Sequence, residues 1–239
     1  WHYIDLPSLG IWRSVRIEGR PTVRIEDPFI AATATEGGTA RLHLTLAGKN
    51  QGWRGRLIGT IVPENFKGTA HHFSHAVHAT ETEKSLLLEC TIPEARRWWP
   101  VDLGDPDLYR IDLSFLPDGE GIPDHTGFVF GLRTIDMQPL PDGPKADTYN
   151  WTFVVNGEPL FVKGANWCTM DALLRFESAR YARFLSLARD AHIQLLRAWG
   201  SGMPETDAFY DLADRLGIMV IQEWPTAWNS HQVQPYDIL

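Results

Sequence analysis

Polar and aromatic residues gather at three places in the second half of this sequence: Asn166, Trp167 and Asp171; Arg197, Trp199 and Gly200; and Gln222, Glu223 and Trp224. Each group adjoins a short apolar run that reads as a strand. Indole faces stack on the C–H faces of a pyranose ring, and Asp, Glu and Asn side chains exchange hydrogen bonds with hydroxyls. A pocket that combines them suits a neutral polyhydroxylated ligand, a sugar above all. A nucleotide is a poor fit, because Gly200-Ser201-Gly202 runs on into Met203-Pro204-Glu205 rather than into a phosphate-cradling helix start. Each residue also has a plainer use: the indoles as packing at a sheet end, and Asp171 and Glu223 as ion-paired carboxylates with Arg197 as a partner. Three indoles that each accompany a strand, and the cost of holding charge at strand ends, favour a site.

Other reactive side chains do not assemble along the chain. In a helix His71, His75 and His78 would share a face, but their segment reads as a strand. There His71 and His75 point one way and His72 and His78 the other, so no metal or other cofactor is expected. Cys90 and Cys168 show no metal spacing and no disulfide framework, and are expected to act as small buried hydrophobes. The 239 residues carry 22 basic and 30 acidic groups, a net charge of −8, with no block of like charge, which argues against nucleic acid or an anionic membrane surface as partner. Hydrophobic residues make up 44%, enough for a packed core, yet no run approaches the roughly 18 residues of a membrane-spanning helix. The sequence opens on Trp1-His2-Tyr3 with neither Met nor a leader pattern, so it reads as cut from a longer protein, of unknown localisation.

The elements that must position these residues change character once. From Ile11 to Met137 the sequence reads as β runs: Ile11–Ile17, Thr22–Ala31, Thr39–Ala47, Arg54–Val62, His71–Ala79, Lys84–Ile92, Leu108–Leu116 and Thr126–Met137. Alternation puts Leu42, Leu44 and Leu46 on one side, and the expected core holds Leu42, Leu44, Leu87, Ile111 and Leu113 or their strand-opposites. Glycine-containing turns separate the runs, and those after Gly19 match the strand count of an immunoglobulin-like sandwich. A proline-rich stretch over 139–150 reads as a linker. Beyond it, Trp151–Val155 and Leu160–Val162 flank Asn156-Gly157, a strong hairpin signal. Phe176–Ile193 then shows helical spacing through Tyr181, Phe184, Leu185, Ala188 and Ala191. Strand Gln194–Trp199 follows, then helix Thr206–Leu216 capped by Gly217, and strand Ile218–Gln222. Such β-α-β-α-β order demands parallel strands with right-handed crossovers, as in doubly wound sheets and (β/α)8 barrels, both of which place sites at the strands' carboxyl ends.

Several segments together resemble glycoside hydrolase family 2, and within it the β-mannosidase branch. They are Gly10–Ile17, Trp99-Pro100 with Gly104–Tyr109, Gly131-Leu132-Arg133, Asn156–Trp167, Leu196–Gly200, Asp207–Ile218 and Gln222-Glu223-Trp224, in the family's order over nearly the whole chain. The resemblance implies four parts: residues 1–19 as the last strand of an upstream sugar-binding-type β-sandwich, 20–138 as an immunoglobulin-like sandwich, 139–150 as a linker, and 151–239 as the first β-α-β-α-β part of a TIM (β/α)8 barrel. It also implies a retaining exo-β-glycosidase acting on a β-linked oligosaccharide or glycoside without a cofactor. In the family the acid/base is the Glu of an Asn-Glu pair after the fourth barrel strand, and the nucleophile is a Glu near the end of the seventh. No Asn-Glu pair occurs here, so both are expected beyond Leu239 and the chain alone is expected to be inactive. By resemblance Asp171 lines the sugar subsite, Arg197 orients and ionises the nucleophile and Trp199 forms a wall. Asn166, Trp167, Glu223 and Trp224 complete the substrate-binding set. Cys168-Thr169-Met170 stands where the mannosidase pattern has Ile-Pro-Ala, so glucosaminide and galactoside remain open as substrates. The other reading is a non-catalytic carbohydrate-binding or structural sandwich module. Unpaired edges of a partial barrel are expected to promote self-association.

Overall fold

The computed structural model describes residues 10–11, 13–32, 38–140, 150–171, 173–200 and 203–224. Its described residues divide into two compact units, one from those within 17–99 and 107–161, the other from those within 10–16, 100–106 and 162–224.

The first unit is built on seven antiparallel strands in two sheets. The strands are β1 (Val23–Ala32), β2 (Thr39–Gly48), β3 (Arg54–Pro63), β4 (His71–His78), β5 (Glu83–Thr91), β6 (Tyr109–Pro117) and β7 (Asp124–Phe130). One sheet has the order β1-β2-β5 and the other β4-β3-β6-β7, so the chain passes between sheets after β2, after β4 and after β5. Period-two alternation explains the core. Leu42, Leu44 and Leu46 of β2 and Tyr109, Ile111, Leu113 and Phe115 of β6 are all buried in one apolar cluster shared by the two sheets. Burial of each such side chain contributes about 1.5–3 kcal/mol before entropy is counted. Leu87, an expected core residue, faces outward and is 56% exposed, while its neighbours Leu86 and Leu88 pack on the core. In a run of three leucines only the register with β2, where His43 faces Leu87, decides which point inward. In β1 the register slips between Glu26 and Phe29 around Asp27, whose φ is 47°, and this bulge turns Phe29 to the outer face, stacked on His43 at 4.5 Å.

The expected run Thr126–Met137 is two elements. After β7 the chain crosses Gly131, where a Cβ would stand 2.7 Å from the Trp98 side chain, and resumes as β8 (Ile135–Pro139). β8 pairs with β9 (Trp151–Val155), which pairs with β10 (Glu158–Leu160). The hairpin at Asn156-Gly157 forms as expected, with φ of 53° and 88°, but it belongs to the sandwich unit and not to the parallel unit that follows. The Asn156 side chain holds it there: its Oδ1 accepts the Thr134 N–H at 3.0 Å, and its Nδ2 donates to the Trp98 carbonyl at 3.0 Å. The boundary expected before Trp151 therefore falls near Phe161, and most of the expected linker, residues 141–149, lies outside the described residues.

The second unit contains the parallel layer: β11 (Gly164–Trp167), α1 (Ser178–Asp190), β12 (Leu195–Ala198), α2 (Asp207–Leu216) and β13 (Met219–Gln222), in sheet order β11-β12-β13. Tyr181 and Leu185 of α1, Phe209 and Ala213 of α2, and Leu196 and Ile218 form its core. Phe184, expected on the buried face of α1, is 41% exposed, and Ala191 is exposed as well, because the buried stripe is narrow and centred on Tyr181, Leu185 and Ala188. Gly217 ends α2 with φ 72°, the left-handed cap expected there. Residues 11–17, expected as a strand, form none among those described, and Ile11, Val15 and Ile17 are exposed. Arg13 donates instead to the Pro204 carbonyl at 2.8 Å.

Candidate functional site

The register of the parallel sheet sorts the expected site residues by face. Asn166 pairs with Arg197 and Arg197 with Ile221, whereas Trp167 pairs with Ala198 and Ala198 with Gln222. Directly paired residues share a face and neighbours along a strand do not. Asn166 and Arg197 thus project from one side of the sheet and Trp167 from the other. Asn166 and Trp167 also lie within β11 rather than after it, since the strand begins at Gly164 and not at Leu160.

On the Arg197 side three residues converge. The guanidinium donates from Nη1 to Asn166 Oδ1 at 3.0 Å and from Nε to Glu223 Oε1 at 2.8 Å, with Nη2 also 2.5 Å from that oxygen. The second Glu223 oxygen accepts the Gly200 N–H at 2.9 Å. That N–H, and then the hydrogen bond from Arg197, hold the Glu223 carboxyl below the usual carboxylate range. The ladder between β12 and β13 continues into the turn, where Glu223 N–H donates to the Ala198 carbonyl at 3.0 Å. Trp199, half-buried, donates its N–H to the Trp167 carbonyl at 2.9 Å. With one cation and two polar partners at the carboxyl ends of parallel strands, this face can orient an anion or a hydroxyl-bearing ligand.

The other expected residues are employed differently. The Trp167 indole packs against Phe209 at 5.1 Å and Tyr181 at 6.4 Å, and its Nε1 donates to Glu205 Oε1 at 2.9 Å, so it belongs to the helix-covered core and forms no wall beside Arg197. Trp224 is 83% exposed. The three indoles therefore do not line one cup. Asp171 is buried, and both of its oxygens accept from the protein: Oδ1 from the Leu173 N–H at 2.8 Å, and Oδ2 from Arg175 at 2.7 Å, with Arg180 at 2.9 Å. The Arg175 hydrogen bond first, and the Leu173 N–H next, lower its pKa. Since an ionised carboxylate offers about four acceptor positions, one remains for a hydroxyl. Cys90 is buried as expected, but Cys168 is exposed, because it follows β11 at the open end of the sheet. His72 Nδ1 lies 3.0 Å from Thr60 Oγ1 on the exposed side of β4.

Two buried polar residues escaped sequence reasoning. Glu205 accepts from Trp167 at Oε1 and from the Tyr181 hydroxyl at Oε2, and its backbone carbonyl accepts from Arg13 at 3.3 Å. Standing between Pro204 and the first turn of α2, it reads as an ordinary solvated residue near a helix start, and only the packing of α1 against α2 encloses it. Gln194 ties the other end of the sheet: Oε1 accepts the Lys163 N–H at 3.1 Å and Nε2 donates to the Val101 carbonyl at 2.9 Å. A cavity of about 360 Å³ opens beside Arg13, Phe176 and Asp207, and none of the expected site residues lines it.

Comparison with known proteins agrees with this architecture. The family model described as glycosyl hydrolases family 2 matches residues 23–133. The mannosylglycoprotein endo-beta-mannosidase of Lilium longiflorum is 28% identical over 226 residues, covering 91% of this chain and 23% of that protein. The beta-mannosidase of Capra hircus is 35% identical over 231 residues, covering 92% of this chain and 25% of that one. Among solved structures, beta-D-mannosidase from Dictyoglomus thermophilum superposes with a TM-score of 0.73 at 27% identity, covering 89% of this chain and 26% of that chain. The chain thus spans about a quarter of the length of the relatives it matches.

Proposed function

Because the chain belongs to glycosyl hydrolases family 2 and resembles its β-mannosidases, we propose that it is a segment of a retaining exo-β-glycosidase that removes terminal β-linked sugars. In this reading the seven-stranded unit is an immunoglobulin-like sandwich, and β11-α1-β12-α2-β13 opens a (β/α)8 barrel. The observation that carries the proposal is the Asn166–Arg197–Glu223 cluster at the carboxyl ends of parallel strands. A double displacement needs a proton donor and a nucleophilic carboxylate about 5–5.5 Å apart. Glu223 does not meet that description, because its oxygens are held by Arg197 and Gly200. Arg197 keeps N–H groups beyond those used by Asn166 and Glu223, and these suit it to orient a nucleophile supplied by a later strand. Asp171 offers its remaining acceptor position to a sugar hydroxyl, and Trp199 supplies a wall.

The test compares two proteins, the 239-residue chain and the longest natural polypeptide containing it, on aryl β-mannoside, β-glucosaminide and β-galactoside and on an internally linked mannoside. The expected result is hydrolysis of the aryl β-mannoside by the long polypeptide and none by the chain alone. Turnover by the chain alone would remove the claim that both catalytic carboxylates lie elsewhere. Sugar binding without turnover by the long polypeptide would favour a non-catalytic carbohydrate-binding module. Preference for the internal linkage would make the enzyme endo-acting.

A further inference from the structure

Glu223 is a carboxylate at a strand end beside an arginine, the arrangement that usually marks a ligand-binding acid. Its surroundings say otherwise. Oε1 takes Arg197 Nε at 2.8 Å and Nη2 at 2.5 Å, and Oε2 takes the Gly200 N–H at 2.9 Å, so three of its about four acceptor positions serve the protein, two of them the Arg197 fork. Its backbone N–H is joined to the Ala198 carbonyl, which anchors it to the strand that carries Arg197. The turn after β12 is pressed close: a Cβ on Gly200 would stand 2.6 Å from the Trp224 carbonyl oxygen and 3.1 Å from both Glu223 Cβ and Oε2. Glycine at this position lets the turn reach the carboxylate.

Resting on the reading of this face as part of a glycosidase pocket, we propose that Glu223 is a positioning residue: it fixes the Arg197 guanidinium and the Gly200 turn to each other and does not touch the sugar. The two side chains divide the work by geometry. Glu223 fixes the Nε edge of Arg197 and Asn166 fixes Nη1, which leaves the remaining N–H groups of the guanidinium aimed away from both. A long flexible cation held at two points loses its rotational freedom before ligand arrives, so less ordering cost falls on binding or on the transition state. Without Glu223, Arg197 would keep one tether and sample several rotamers.

Two measurements test the proposal. In the 239-residue chain, the side-chain Nε–H of Arg197, assigned by its loss in Arg197→Lys, is followed by ¹⁵N-resolved NMR hydrogen exchange. Exchange should quicken about tenfold or more in Glu223→Gln and further in Glu223→Ala. Gly200→Ala should do the same from the opposite side by pushing the turn off the carboxylate, and it leaves Glu223 itself in place. Equal exchange in wild type and Glu223→Ala would overturn the proposal. In the long polypeptide, kcat should fall about 10- to 100-fold in Glu223→Gln with KM little changed. Substrates lacking one ring hydroxyl at a time should then lose the same factor in wild type and variant. A deoxy substrate that loses nothing further in Glu223→Gln would show that Glu223 touches that hydroxyl, and the proposal would fail. A wild-type long polypeptide inactive on every glycoside would instead sink the glycosidase reading, and the exchange measurement would still decide the role of Glu223 toward Arg197.

Discussion

Replacing Tyr181 with Phe isolates the worth of the buried carboxylate contact beneath the sheet. Tyr181 is fully buried, its ring lies 5.6 Å from Phe209 and 6.1 Å from Phe176, and its hydroxyl donates to Glu205 Oε2. Burial, and then the Glu205 carboxylate as acceptor, raise the Tyr181 pKa, so the phenol keeps its proton and remains a donor. Phe fills the same volume, so the ring contacts survive and only the hydroxyl is lost. The net value of a hydrogen bond to a charged group is about 1.5–3 kcal/mol, and Glu205, itself buried, would keep the Trp167 Nε1 donor at its other oxygen. We therefore expect Tyr181→Phe to destabilise the parallel-sheet unit by about 2–3 kcal/mol. The assay is amide hydrogen exchange of α1 and α2, where a loss of that size speeds the slowest exchanging amides about 30- to 150-fold. The amides of β2, β3 and β6 in the other unit serve as an internal reference. Unchanged α1 exchange would show that Glu205 is satisfied without Tyr181 and would refute the reasoning.

Leu42→Ala should cost about 3–4 kcal/mol in urea melts followed by sandwich-unit signals, whereas Leu87→Ala should cost under about 1 kcal/mol, because one is fully buried and the other faces solvent. Gly38→Ala should destabilise by about 1–3 kcal/mol or more, since φ is 61° and the new Cβ would stand 2.2 Å from the Ile92 carbonyl oxygen; thermal melting checks it. The Glu223 pKa is lowered by the Gly200 N–H and Arg197, so its stabilising effect is complete above the ordinary Glu range and is lost as pH falls through the lower folded value; a pH series of α2 exchange should show that loss, and Glu223→Gln should flatten it. In the long polypeptide Asp171→Asn should lower both stability and turnover, because the side chain lies between Arg175 and Arg180 as well as near the proposed sugar subsite; turnover lost at unchanged stability would leave only the ligand role.

Some features of this protein are local and were therefore legible in its amino-acid order. Period-two alternation in Ala40–Leu46 and Tyr109–Phe115 specifies a buried face whatever the partner strand is. Asn156-Gly157 accepts positive φ at both positions and makes a hairpin, and Gly217 ends α2 for the same reason. The alternation of strands and helices after Gly164 dictates parallel pairing, and with it the end of the sheet where Asn166, Arg197 and Glu223 stand. What tertiary structure alone decided is which neighbour each side chain meets. Trp167 and Asn166 are adjacent in sequence and separated by a sheet in space, because the register of β11 against β12 sends one toward the helices and the other toward Arg197. The same dependence turned Leu87 outward and assigned the hairpin at Asn156 to the sandwich through bonds to Thr134 and Trp98. It also enclosed Glu205 between an indole and a phenol that lie 38 and 24 residues away along the chain. Backbone preferences act over a few residues, whereas register, burial and the pairing of charges are set by contacts between segments far apart in sequence, and those exist only once the chain has folded.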